Sequence, residues 1–225
     1  MNRKKRKKPP VETVITPMNY KRLFAFLHAL TEVRHRNFES ELGLLLRGLY
    51  YEDGGEWFDE GKRCEKAAFL TSGFAYGHYH ERTMGKVVFK IFKPGELIVN
   101  ADVFFNGVRS NFSASLCPEA NLMYITQDDL RSLVCNFSGV QELVIKTVSA
   151  LHRDVLEREE MLRMQGKKRI IQFFKIYPDL LKSARQGPMT YQDIASYLQM
   201  TPFNFSLLMK ALFPHLSAEI EAPSP

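Results

Sequence analysis

The stretch Thr190-Tyr-Gln-Asp-Ile-Ala-Ser-Tyr-Leu-Gln-Met-Thr-Pro-Phe-Asn-Phe-Ser-Leu-Leu-Met-Lys210 decides how this chain is read. Thr190 can cap a helix, with Asp193 three residues on in the capping-box position. That helix would bury Ile194, Ala195 and Leu198, the small Ala195 letting a second helix cross closely. A turn at Gln199-Met200 follows, then Thr201 as N-cap and Pro202 at the first helical position. The second helix would turn Phe205, Leu208 and Leu212 inward. Counted from Tyr191, apolar residues fall at the fourth, eighth, tenth, fifteenth and eighteenth positions. This is the pattern of a helix-turn-helix, a unit whose second helix can enter the major groove of DNA.

Working back from there, Gln186-Gly187-Pro188 breaks the chain, and Arg169–Ile176 reads as a helix that stops before Pro178. Gly166 and the basic run Lys167-Lys168-Arg169 open this section. Before it, Val144, Val148, Leu151, Val155, Arg158 and Leu162 recur at alternating steps of four and three, a heptad seam. Glu157, Arg158, Glu159, Glu160 and Arg163 decorate the far side. A long helix with so narrow a seam favours pairing with a second copy through Val144, Val148, Leu151, Val155 and Leu162. Packing on the preceding module is the other reading.

From Tyr50 to about Ser113 the texture is that of strands. Short runs rich in Phe, Tyr and Val are punctuated by Asp53-Gly54-Gly55, Glu60-Gly61-Lys62, Ser72-Gly73, Met84-Gly85 and Lys93-Pro94-Gly95. Lys86–Phe92 between two of these turns has high β-propensity. Strands at this spacing form an antiparallel barrel or sandwich. Upstream, Tyr20, Leu23, Phe24, Leu27 and Leu30 mark an amphipathic helix, and a second short helix is expected around Glu41–Leu49.

Charge is unevenly placed. The 225 residues carry 31 Lys and Arg against 25 Asp and Glu, a net charge of +6. Residues 3–8 are six consecutive basic residues, so the remaining chain is balanced at 25 against 25. That run, closed by Pro9 and Pro10, is expected to be disordered. It is read either as a flexible arm on phosphate or as a solvated terminus. The start lacks the apolar segment of a secretory signal and no apolar run approaches the ~20 residues of a membrane span, so a cytoplasmic protein without membrane contact is expected. The widely spaced Cys64, Cys117 and Cys135 are expected to be small buried hydrophobes in a reducing compartment. His78 and His80 share one side of a probable strand and are read as an exposed pair rather than metal ligands. No nucleophile elbow, phosphate-binding loop or carboxylate pair stands out, so neither catalysis nor a cofactor or metal is expected.

The order of these segments resembles the Crp/Fnr family of transcription regulators. Arg169-Ile-Ile-Gln-Phe-Phe-Lys-Ile-Tyr177-Pro178-Asp179-Leu180-Leu181, Ile194-Ala195-Ser196-Tyr197-Leu198 and Thr201-Pro202 resemble its compact C-terminal domain. Glu60-Gly61, Phe69-Leu70-Thr71-Ser72-Gly73 and Phe92-Lys93-Pro94-Gly95-Glu96-Leu97 resemble its β-roll. The resemblance implies an α+β chain in four parts: a basic tail at 1–17, a cyclic-nucleotide-binding-like antiparallel jelly roll at 18–139, a dimerisation helix at 140–166, and an all-α helix-turn-helix domain at 167–225. It implies a homodimer that binds DNA, with a small-molecule effector or a protein partner of unknown kind.

Two departures from the family bear on function. Its cyclic-nucleotide binders carry Gly-Glu shortly after the Pro-Gly-Glu turn and an Arg-Ser further on for the phosphate. The first pair falls on Val99 and Asn100 here, while Arg109-Ser110 stands near the second. The effector pocket is therefore placed at Val99, Asn100, Arg109 and Ser110, and cyclic AMP is not expected to be its ligand. The recognition helix has Phe203 and Leu207 where relatives present Glu and Arg. DNA contact is left to Thr201, Asn204, Ser206, Lys210 and Thr190, helped by Lys167, Lys168, Arg169, Lys182 and Arg185. Gln199 replaces the turn glycine. The alternative is that Phe203 and Leu207 form a protein-interaction surface with DNA binding weakened or lost.

Overall fold

The computed structural model describes residues 8–31, 37–83, 85–182 and 189–221, the side chains of 151–155, 182 and 214–221 excepted. In chain order the elements are β1 (Val11–Thr13), α1 (Pro17–Leu30), α2 (Phe38–Leu45), β2 (Arg47–Tyr51), β3 (Gly55–Phe58), β4 (Lys66–Ser72), β5 (Ala75–Glu81), β6 (Gly85–Phe92) and β7 (Leu97–Ile98). They continue as α3 (Ala101–Asn106), β8 (Ser113–Leu116), β9 (Ala120–Thr126), α4 (Gln127–Asn136), α5 (Val140–Leu162), α6 (Gly166–Ile176), α7 (Pro178–Lys182), α8 (Tyr191–Tyr197) and α9 (Pro202–Glu221). The protein is thus α+β with antiparallel strands. Among the described residues no helix is long and apolar enough to cross a membrane.

The chain divides into two units, one of residues 1–77 and 92–152, the other of residues 78–91 and 153–225. This differs from the division read in the sequence. The tip of the β5–β6 hairpin groups with the C-terminal helices, and the boundary falls inside α5 at His152–Arg153.

The strands form a five-stranded sheet in the order β1-β2-β9-β4-β7 and a four-stranded sheet in the order β3-β8-β5-β6. In the first unit the side chains of β4 and β9 are used on both faces. Leu70 pairs with Leu122, and Phe69 with Met123, in antiparallel register. Leu70 and Leu122 join Phe58, Phe92 and Leu116 in the core of the strands. Phe69 and Met123, on the alternate face, pack with Leu23 of α1. Beyond them lies a cluster built by Phe38 and Leu42 of α2, Leu133 of α4, and Val140 and Leu143 of α5. A strand buried on both faces loses its polar alternation, which is why Ala67–Leu70 reads as one apolar run.

The strand-like texture begins and ends outside the range expected from it. The second helix stops at Leu45, and Arg47–Tyr51 pairs with β9 instead of extending the helix to Leu49. Gly48 shows why: a Cβ there would stand 2.4 Å from the carbonyl oxygen of Thr13 in β1. Strands also continue past Ser113 to Thr126. Between them the unforeseen α3 is capped by Asn100, whose side chain accepts from the Val103 N–H at 3.4 Å, and closes at Gly107 with φ of +67°.

Candidate functional site

The C-terminal unit is organised by aromatic packing. Phe173 and Phe174 of α6 are fully buried, and Phe173 stands 5.1 Å from Tyr177 and 5.7 Å from Tyr197 of α8 between ring centroids. Ile194, Ala195, Leu198 and Phe205 are buried, while Met209, not Leu208, is the next fully buried side chain of α9. Leu208 and Leu212 are half-buried.

The turn between α8 and α9 closes as the sequence anticipated. Gln199 takes a φ of +51°. The Met200 N–H donates to the Ala195 carbonyl at 2.9 Å and the Gln199 N–H to the Ser196 carbonyl at 3.0 Å. These two bonds form the Schellman arrangement that satisfies the end of a helix. Thr201 then caps α9, its hydroxyl accepting from the Asn204 N–H at 3.2 Å. The helical spacing of α9 places Phe203, Leu207 and Lys210 on one outward stripe, with Asn204 and Ser206 to either side. Phe203 is 76% exposed and Leu207 58%. Thr201, Asn204 and Lys210 are exposed, and Ser206 is half-buried.

Two residues assigned to DNA from the sequence make structural hydrogen bonds. The Thr190 hydroxyl caps α8, accepting from the Asp193 N–H at 3.1 Å and donating to the Asp193 carboxylate at 2.8 Å. Arg169 turns inward. Its guanidinium donates to the carbonyls of Leu162 at 2.6 Å, Leu198 at 2.7 Å and Met164 at 3.0 Å. A group so committed to helix-end carbonyls is not available to a phosphate. Lys167 and Lys168 are exposed as expected. Arg185 and the side chain of Lys182 lie outside the described residues, as do residues 1–7 of the basic tail.

The hairpin tip within this unit meets α8. Lys86 of β6 pairs with Asp193 at 2.7 Å. The Ser196 hydroxyl accepts from the Val88 N–H at 2.9 Å and donates to the Lys86 carbonyl at 3.2 Å. Ser196 thereby serves the edge of a terminal strand, whose backbone groups would otherwise face solvent. The histidines of this hairpin are not the exposed pair expected. His80 is exposed, but His78 is only 5% exposed, and their rings stand edge to face at 5.7 Å. Among the described residues no cluster of three or more potential metal ligands occurs. The cysteines divide as well: Cys117 is buried, Cys64 is half-buried and Cys135 is exposed. Burial pushes the Cys64 thiol above its ordinary pKa, and its Sγ donates to the Lys66 carbonyl.

The four effector-pocket positions part company. Asn100 donates to the Ser110 hydroxyl at 3.0 Å and to Asn111 at 3.3 Å. Arg109 is exposed and donates to the Gly61 carbonyl at 3.2 Å. Ser110 is buried, and its hydroxyl also donates to the Phe112 carbonyl. Asn100, Arg109 and Ser110 thus tie the loop after α3 to itself and to Gly61. Val99 faces elsewhere, into an apolar cavity of about 120 Å³ beneath α5.

That cavity also receives Val144 and Val148. These two seam residues therefore face their own unit, which is the packing that the heptad spacing left open. Arg158, in register with them, lies 4.8 Å over the Tyr197 ring and donates to the Tyr197 carbonyl at 2.9 Å. Leu162 is half-buried, and the side chains of Leu151 and Val155 lie outside the described residues. Among the described residues, the apolar side chains that α5 leaves most exposed are ones the spacing did not single out, Ile145 at 59% and Leu156 at 63%.

Neither family sequence models nor curated protein sequences match this chain. Solved structures do. A regulator assigned to the Crp/Fnr family, from Eubacterium rectale, is similar with a TM-score of 0.63 at 11% identity, over 80% of this chain and 84% of that one. FixK2 of Bradyrhizobium japonicum is similar with a TM-score of 0.57 at 15% identity, over 76% of this chain and 85% of its own. The c-di-GMP responsive global regulator CLP of Xanthomonas campestris is similar with a TM-score of 0.58 at 15% identity, over 80% and 93%. At these identities the likeness shows a shared fold.

Proposed function

We propose that this chain is a DNA-binding transcription regulator of the Crp/Fnr type, a cytoplasmic homodimer that reads DNA with α9 and does not answer to cyclic AMP. The observation that carries this reading is the α8–turn–α9 arrangement, with Gln199 left-handed and Thr201, Asn204 and Lys210 exposed along α9. Asn can read adenine in the major groove, and Thr and Lys can hold phosphate. The fold shared with regulators of that family supports the reading. A second copy would meet α5 along Ile145 and Leu156, three helical turns apart on one face, in place of Val144 and Val148. Cyclic AMP is set aside because Val99 and Asn100 stand where the family's nucleotide binders carry Gly-Glu, and Arg109 is committed to Gly61.

A second reading rests on Phe203 and Leu207, whose exposure at the centre of the α9 stripe suits a protein partner. Salt separates the two. A dimer neutralising six to ten phosphates is expected to lose roughly 10³–10⁵ in affinity between 50 and 200 mM salt. Lys210→Ala should flatten the log–log slope by about one per subunit, measured by fluorescence anisotropy on a labelled duplex. A binding constant insensitive to salt would favour the apolar protein contact.

A further inference from the structure

We propose that the cavity beneath α5, which takes in Val99 alone of the four effector-pocket positions, is a binding site for a small, neutral, largely apolar molecule of benzene-to-indole size. The volume, about 120 Å³, lies far above the space of one water and close to the engineered apolar cavity of about 150 Å³ that takes up benzene. Native interiors hold few voids of this size. The walls come from the outer face of the β4–β9 pair, with Ala67, Phe69 and Ile125, and from α1, α2, α3, α4 and α5. Thr147 is the one polar residue among the described lining, and its hydroxyl is the group that could orient one polar atom of a ligand. Among the described residues no charged side chain lines the space, so an anionic ligand would have to give up its hydration without compensation.

Two features mark it as more than loose packing. Val140, Leu143, Val144, Thr147 and Val148 give the cavity one whole face of α5 over more than two turns, so its occupancy is felt along that helix. Phe105 of α3 lines the cavity and is also 40% exposed, which places an aromatic side chain between the interior and solvent as an entrance. Occupancy would therefore act on α5, the helix proposed above to hold the dimer. Only that regulatory consequence rests on the reading of the chain as a dimeric regulator; binding itself does not.

The test uses the full chain and indole, without DNA. Calorimetric titration is expected to give one saturable site per chain with Kd below about 1 mM, and the amides of 143–148 should exchange more slowly when it is filled. Ala67→Leu fills the cavity from the sheet side and should raise the melting temperature of the free protein while abolishing indole binding. Thr147→Leu, on the opposite wall, provides the same control should the strand substitution disturb folding. No binding in the wild-type chain up to the solubility of indole overturns the proposal, as does binding that survives in the folded filled variants. Because DNA is absent from these measurements, loss of either reading leaves the other standing.

Discussion

Replacing Phe173 with alanine is expected to destabilise the C-terminal unit by about 3–5 kcal/mol. Phe173 is fully buried and lies within ring contact of Phe174, Tyr177 and Tyr197. Truncation removes the transfer free energy of the ring and leaves a void that three aromatic neighbours cannot close by small shifts. The edge-to-face geometry with Phe174, at 5.0 Å and 79°, adds a preference beyond buried area. The measurement is urea unfolding followed by circular dichroism at 222 nm, which weights the helices. Trp57, the one tryptophan of the chain, belongs to the first unit, so its fluorescence reads that unit. A loss below about 1 kcal/mol would mean that the cluster is not the core of the helical unit.

Replacing Arg169 with methionine is expected to cost about 2–4 kcal/mol, since bonds from a charged donor contribute about 1.5–3 kcal/mol each and those of one side chain are not additive. The chain gathers three carbonyls around one guanidinium: Leu162 at the end of α5, Met164 just beyond it, and Leu198 at the cap of α8. Helix ends carry such unpaired carbonyls together with the negative end of the macrodipole, so a delocalised cation suits them. Lysine cannot reproduce the fork, and Arg169→Lys should recover little of the loss. This separates the structural role from the phosphate contact that the Lys-Lys-Arg run suggests. A phosphate contact would survive lysine with stability unchanged, whereas the clamp predicts a lower unfolding midpoint for both variants and an unchanged salt slope on DNA.

Local signals were the legible part of this fold. Gly54, Gly61, Gly73, Gly85 and Gly95 each stand in a turn marked in the sequence, and each has positive φ. Thr190 and Asp193 placed the start of α8, and Thr201 and Pro202 the start of α9, because capping depends on neighbours within four residues. The turn at Gln199-Met200 was legible too, while its positive φ falls on Gln199, which stands in place of the turn glycine. What the sequence hid depends on distant partners. Arg169 is indistinguishable from Lys167 and Lys168 until Leu198 is brought beside it. Val144 and Val148 carry a spacing that suits another helix and the chain's own sheet equally well. The hairpin tip belongs with α8 only because Asp193 and Ser196 meet Lys86 and Val88, more than a hundred residues away. The cavity leaves no trace in periodicity, since its lining is ordinary apolar core drawn from eight separate elements and the linkers between them.

Whether α9 of a dimer reads DNA is measured by a selection of genomic fragments at low salt, using the full chain and a chain lacking residues 1–10. Both chains are expected to recover one palindromic motif with half-sites about one helical turn, roughly 34–36 Å, apart. Asn204→Ala should relax one base position within each half-site. Enrichment without a motif that vanishes with the basic tail, or no enrichment by either chain, would contradict DNA reading by α9.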